Sequence, residues 1–129
     1  MILVDTSIWI DFIRHGFNEH LDDLLVGESV VMHDFVFGEI AMGSPKDRKA
    51  RLSMLGSLHR IPTASHVEVL TLVESSRLFG LGLTYIDVHL LAAARASADF
   101  EPVRIWTGDK ELARQAARLG VAYQGAVTK

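Results

Sequence analysis

Four acidic residues, Asp5, Glu39, Asp87 and Asp109, stand where chain elements begin or present one face, and carboxylates so placed suit one kind of chemistry. Asp5 ends the apolar run Ile2 to Val4, and Asp109 ends the later run that starts at Val103. In an open α/β sheet, the loops after the strands' carboxyl ends meet over one crevice. Carboxylates gathered there hold a hard divalent cation, and oxygen ligands favour Mg²⁺, with Mn²⁺ as the alternative. Without a cation, each like-charged pair at contact costs roughly 1 to 4 kcal/mol at effective dielectrics of about 80 to 20. Proton uptake relieves part of that repulsion and a divalent ion relieves more. The expected chemistry is metal-dependent hydrolysis of a phosphate ester.

Each acid also has a plainer use. Asp109 fits a helix N-cap, where a side-chain oxygen accepts backbone N–H bonds. Asp87 fits the third position of a capping box opened by Thr84, and Asp5 fits the positive end of a helix dipole. Glu39 differs. It lies within a helix, between Gly38 and Ile40, and positions 35, 36, 42 and 43 are Phe, Val, Met and Gly. No cation stands three or four residues away to pair with it.

The elements that must position these acids follow from apolar period and punctuation. Ile2 to Val4 reads as a buried strand, followed by a helix capped by Thr6 or Ser7, with Ile8, Trp9, Phe12 and Ile13 on one face. Asn18 starts a second helix with Leu21, Leu24 and Leu25 inward, and Ser29 to His33 is the second strand. Asp34 caps a helix that carries Glu39 and ends at Gly43; Ser44-Pro45 opens the next, with Lys46, Arg48, Lys49 and Arg51 on its polar face. A very short strand precedes the Ile61-Pro62 break. Ser65 to Glu68 opens a long helix to about Phe79, and Thr84 to Asp87 opens an alanine-rich one through Ala98. A strand over Val103 to Thr107, a helix over Asp109 to Leu119 and a last strand over Val121 to Tyr123 complete the order. Strands separated by helices imply a short parallel sheet covered on both faces, a three-layer α/β/α domain.

At 129 residues the chain suits one domain, residues 1–129, large enough to need no staples. It has no cysteine, which excludes disulfides, thiolate zinc sites and thiol catalysis. A net charge of −3 argues against coating nucleic acid through a basic surface, though not against a nuclease. The apolar stretches are too short to span a bilayer and no signal peptide is evident, so a cytoplasmic location is expected. His33 and His89 lack the partner of a metal-ligand pair and read as structural, and no glycine-rich phosphate loop is present. The Lys46 to Arg51 cluster is a solvated helix face or, less simply, an RNA contact.

The residues also carry a resemblance. Met1 to Arg14, with its Ile-Leu-Val-Asp-Thr-Ser core, resembles the opening of PIN-domain ribonucleases, specifically the VapC-type toxins of toxin–antitoxin pairs. Phe37 to Gly43, Thr84 to Ala94 and Trp106 to Leu112 are similar to that family's second, third and fourth motifs, in order and over essentially the whole chain. The resemblance implies that Asp5, Glu39, Asp87 and Asp109 form an acidic metal site supported by hydrogen bonds from Ser7 and Thr107. Gly108 departs from it, since relatives often carry a larger residue there. The resemblance further implies a VapB-type antitoxin that obstructs the crevice, and a homodimer. Trp9, Phe12, Leu21, Leu24 and Leu25 fit either a surface for that antitoxin or the core.

The expected activity is therefore that of a Mg²⁺-dependent endoribonuclease in which a metal-activated water cuts RNA. Two rivals stand beside it. An aspartyl phosphatase also begins with a strand ending in Asp, but it wants a second acid where this chain has Ser7. A non-catalytic binding module would use its acids only as caps.

Overall fold

A computed structural model describes residues 1–97 and 101–125. Its centre is a four-stranded, wholly parallel sheet in the order β3-β2-β1-β4. The strands are β1 (Ile2–Val4), β2 (Val30–Met32), β3 (His59–Arg60) and β4 (Arg104–Trp106). All residues of β1 and β2 are buried, as unbroken apolar runs covered on both faces must be. Helices α1 (Thr6–His15), α2 (Glu19–Val26), α3 (Asp34–Ala41), α4 (Arg48–Gly56), α5 (His66–Ser75), α6 (Tyr85–Ala96) and α7 (Lys110–Arg118) complete the α/β/α layers. Ala98, where the alanine-rich helix was expected to end, lies outside the described residues.

The winding fixes where chemistry can sit. From β1 the chain adds β2 and then β3 on one side, and then returns to place β4 on the other side of β1. The order therefore reverses between β1 and β4, and ligands of such sheets bind outside the carboxyl ends at that reversal. Register pairs Val4 with Trp106, so the next residues, Asp5 and Thr107, emerge side by side above the sheet.

Trp9, Phe12 and Leu21 belong to the core rather than to a partner surface: Trp9 and Leu21 are wholly buried, and Phe12 packs edge-on against Trp9 at 6.0 Å. Leu24 and Leu25 pack against the same core. The apolar stripes of α1 and α2 thus do the ordinary work of covering a sheet.

Several expected boundaries move. The cap of α1 is Asp5, not Thr6 or Ser7, and the cap of α3 is His33, so that Asp34 is the first helical residue. Helix α4 begins only at Arg48, because Asp47 takes a left-handed φ of 56° and breaks the turn after Pro45. Lys46 consequently lies outside the helix. Helix α5 stops at Ser75 rather than near Phe79: Arg77 is left-handed at φ 53°, and the Leu78 N–H donates back to the Val73 carbonyl while Leu78 itself is buried. Val121 to Tyr123 makes only an isolated parallel bridge, Ile105 with Ala122, instead of a full strand.

The cap of α3 carries a pH dependence. His33 is fully buried, and its Nδ1 accepts the Phe35 N–H at 3.0 Å. Burial holds its pKa below the usual histidine value; nearby His89 pushes the same way and Asp34 opposes. The neutral ring is the form that fits, so stability is full above the unfolded pKa of about 6.5 and is lost as pH falls through the lowered folded value. The melting temperature should fall as pH drops below about 6.5. His33→Asn keeps a capping oxygen without titrating and should flatten that slope. Equal slopes in the two proteins would assign the acid sensitivity to other groups.

Candidate functional site

Three of the four acids reach the crevice as helix caps, so the plain reading and the chemical one describe the same placement. Asp5 caps α1: its Oδ1 accepts the Thr6 N–H at 2.7 Å. Asp87 closes the capping box of α6, where its Oδ2 accepts the Thr84 N–H at 2.9 Å and its own N–H donates to Thr84 Oγ1 at 3.0 Å. Asp109 caps α7, with Oδ1 accepting the Leu112 N–H at 2.8 Å. Asp5 and Asp109 follow β1 and β4, at the sheet's reversal, while Asp87, on a helix that no strand precedes, lies near enough for both charges to act on it.

Asp5 is the buried member of the group. Its second oxygen accepts a short hydrogen bond, 2.6 Å, from Thr107 Oγ1 and a longer one, 3.4 Å, from Ser7 Oγ. Ser7 Oγ accepts in turn from the Gly108 N–H, and Thr107 Oγ1 from the Asp109 N–H. One hydroxyl network thereby ties the ends of β1 and β4 together. Gly108 has room for a side chain, since an added Cβ would meet Ser7 only at ordinary contact distance.

Glu39 arrives differently. It is exposed on α3, and its Oε1 accepts the Thr6 hydroxyl at 2.6 Å. Thr6 adjoins Asp5, so this bond leans the glutamate toward the crevice. The sequence marked Thr6 only as a possible cap; its role as a tether across 33 positions had no local signal.

Electrostatics couple the group. Burial raises the Asp87 pKa above the usual carboxylate value, the Thr84 N–H opposes that rise, and the negative charges of Asp5 and Asp109 add to it. Among the described residues, no Lys or Arg pairs with any of the four acids. Nor, among those residues, do any three His, Asp or Glu side chains form a ready-made metal cage. Like charges repel, and each carboxylate is drawn instead to its nearby N–H or hydroxyl donor. Carboxylate oxygens are nonetheless the donor type that a hard divalent ion takes, and the charges of Asp5 and Asp109 meet at Asp87.

The other candidates fare unevenly. Arg48 is engaged: Nε donates to the Gly43 carbonyl and an Nη to the Ala41 carbonyl, neutralising the end of α3. Lys46 and Lys49 are exposed and Arg51 is half-buried. His33 and His89 are both buried, with ring centroids 6.3 Å apart. No helix among the described residues is long and apolar enough to cross a membrane.

Comparison with known proteins agrees with this architecture. No family model matches the chain. Ribonuclease VapC32 of Mycobacterium tuberculosis, in strains CDC 1551 / Oshkosh and ATCC 25618 / H37Rv, is 40% identical over 122 residues, which is 95% of this chain and 95% of the relative. The crystal structure of PAE2754 from Pyrobaculum aerophilum superposes with a TM-score of 0.60 at 18% identity, covering 92% of this chain and 94% of that one, and so shares the fold. With a curated relative matched over nearly its whole length on a PIN-like α/β/α frame, the chain belongs to the VapC-type PIN-domain ribonucleases.

Proposed function

We propose that this protein is a Mg²⁺-dependent endoribonuclease, the toxin of a type II toxin–antitoxin pair. The observation that carries the reading is the nearness of Asp5 and Asp109 to Asp87, whose pKa their charges help to raise, with no Lys or Arg among the described residues paired to any of the three. Asp5, Glu39, Asp87 and Asp109 would hold the ion, Mg²⁺ or Mn²⁺. When bound, such an ion neutralises charge at a phosphate and lowers the pKa of a water molecule.

The chain's own residues do the rest. Thr107 and Ser7 fix the Asp5 carboxylate, Thr6 aims Glu39, and the Thr84 box holds Asp87 at the mouth of α6. Oxygen from water bonds to phosphorus as the bond to O3′ breaks, leaving a 5′-phosphate and a 3′-hydroxyl. Attack by the ribose 2′-hydroxyl is the alternative, and no histidine pair stands among Asp5, Glu39, Asp87, Asp109, Ser7 and Thr107 to catalyse it. An aspartyl phosphatase is disfavoured because it wants a second acid two residues after the nucleophile, where this chain has Ser7.

Of the Lys46 to Arg51 cluster, Lys46, Lys49 and Arg51 would meet RNA phosphates, while Arg48 serves the end of α3. A VapB-type antitoxin and a homodimer belong to the same proposal. Purified protein with Mg²⁺ or Mn²⁺ should cut RNA into fragments that a 5′-phosphate-dependent exonuclease degrades, and excess EDTA should stop cleavage. Undiminished cutting in EDTA, or fragments ending in cyclic phosphate, would overturn it.

A further inference from the structure

Beside the acids lies an aromatic strip that the cleavage chemistry does not use. His33 follows β2 as Asp5 follows β1, and these strands are neighbours in register, so the strip begins one strand spacing, about 5 Å, from Asp5. From His33 it passes to Phe35 (5.3 Å between ring centroids), then to His89 (4.5 Å) and then to Tyr85 (4.6 Å). Tyr85 and His89 share one face of α6 as an i, i+4 pair, and Tyr85 stands in the same first turn as Asp87. His33 and His89 are buried, but Tyr85 is 45% exposed, and Phe35 is half-buried.

The Tyr85 ring is held although it is exposed. Its hydroxyl shares a 2.7 Å hydrogen bond with His66 Nδ1, and it meets His89 in a T-shaped contact at 83°. An exposed aromatic ring on an ordered helix end, fixed at both its polar tip and one edge, loses little entropy when something stacks on it. Water gains nothing from such a surface; a flat apolar ring does.

We propose that Tyr85, in the first turn of the helix that carries Asp87, is a stacking platform for an unpaired nucleobase flanking the cut. The inference rests on the ribonuclease reading above. Only an unpaired base can present its face to the ring. Stacking of this kind tolerates sequence, since every base has a π-face.

The test is steady-state cleavage of a single-stranded oligonucleotide by wild type, Tyr85→Ala and Tyr85→Phe, each checked for folding by thermal melting. Stacking is worth about 1 to 3 kcal/mol per base, so Tyr85→Ala should raise KM by about 5- to 150-fold with kcat changed far less. Tyr85→Phe keeps the ring and should recover most of that loss. An abasic residue walked across the four nucleotides around the cut should, at one position, weaken wild type by a similar factor and leave Tyr85→Ala no worse. An unchanged KM in Tyr85→Ala, or a KM loss that persists whichever base is missing, overturns the platform and leaves the ring to a protein contact. Wild type that cuts no RNA at all would instead sink the ribonuclease reading, and this inference with it.

Discussion

Asp5→Asn should reduce RNA cleavage by about 100- to 10,000-fold, the equivalent of several kcal/mol of transition-state charge stabilisation. The substitution is nearly silent for the fold. Asn caps helices as well as Asp does, so an amide oxygen can still accept the Thr6 N–H. Thr107 Oγ1, which now donates to Asp5 at 2.6 Å, can rotate and accept from the amide instead. One negative charge also leaves the neighbourhood of Asp87, whose pKa Asp5 helps to raise. Activity should therefore collapse while the melting temperature stays within a few degrees of wild type. Cleavage at the wild-type rate would remove Asp5 from the chemistry. A parallel collapse of folding would make its role structural.

Local signals carried most of the site, because three of its acids are also caps. The strand ending at Asp5, the Thr84 to Asp87 box and the strand–turn–helix around Asp109 each follow from residues within one turn of one another. Glu39 was legible by contrast, as an unpaired charge on an apolar helix. What joins the four was not legible. The Thr6 tether to Glu39 and the Thr107 bond to Asp5 span 33 and 102 positions, and a hydroxyl gives no hint of so distant a partner.

The misplaced boundaries have the same origin. Helix α5 ends early because burying Leu78 outweighs the cost of a left-handed Arg77, where a glycine would have announced the stop. The turn before α4 hides behind Pro45, which suits a helix start, whereas Asp47 in its left-handed conformation delays it. The segment after Gly120 has strand-like residues, but the edge of β4 supplies pairing at Ile105 alone. Tyr85 was read only as part of a helix start, since its fixed ring depends on His66 and His89.

The second large effect should come from Asp87, and it separates a metal site from a set of caps. Its pKa is raised in the folded protein, so its contribution to stability is greatest at low pH and declines as pH rises from the unfolded value of about 3.9 through the folded one. At neutral pH the charged carboxylate therefore opposes folding. Asp87→Asn removes that charge, yet an amide oxygen still reaches the Thr84 N–H, so the variant should melt higher than wild type in EDTA. Adding Mg²⁺ should reverse the order of advantage. Wild type should gain about 2.7 kcal/mol at 100 times Kd, roughly 5 to 15 °C for a chain of this size. Asp87→Asn, with a ligand lost, should gain little. Caps without a metal site share the EDTA result, which follows from burial and the neighbouring charges, but predict no specific response to Mg²⁺ in either protein. Thermal melts of the two proteins with and without the ion thus decide whether these carboxylates are gathered for a cation or merely end their helices.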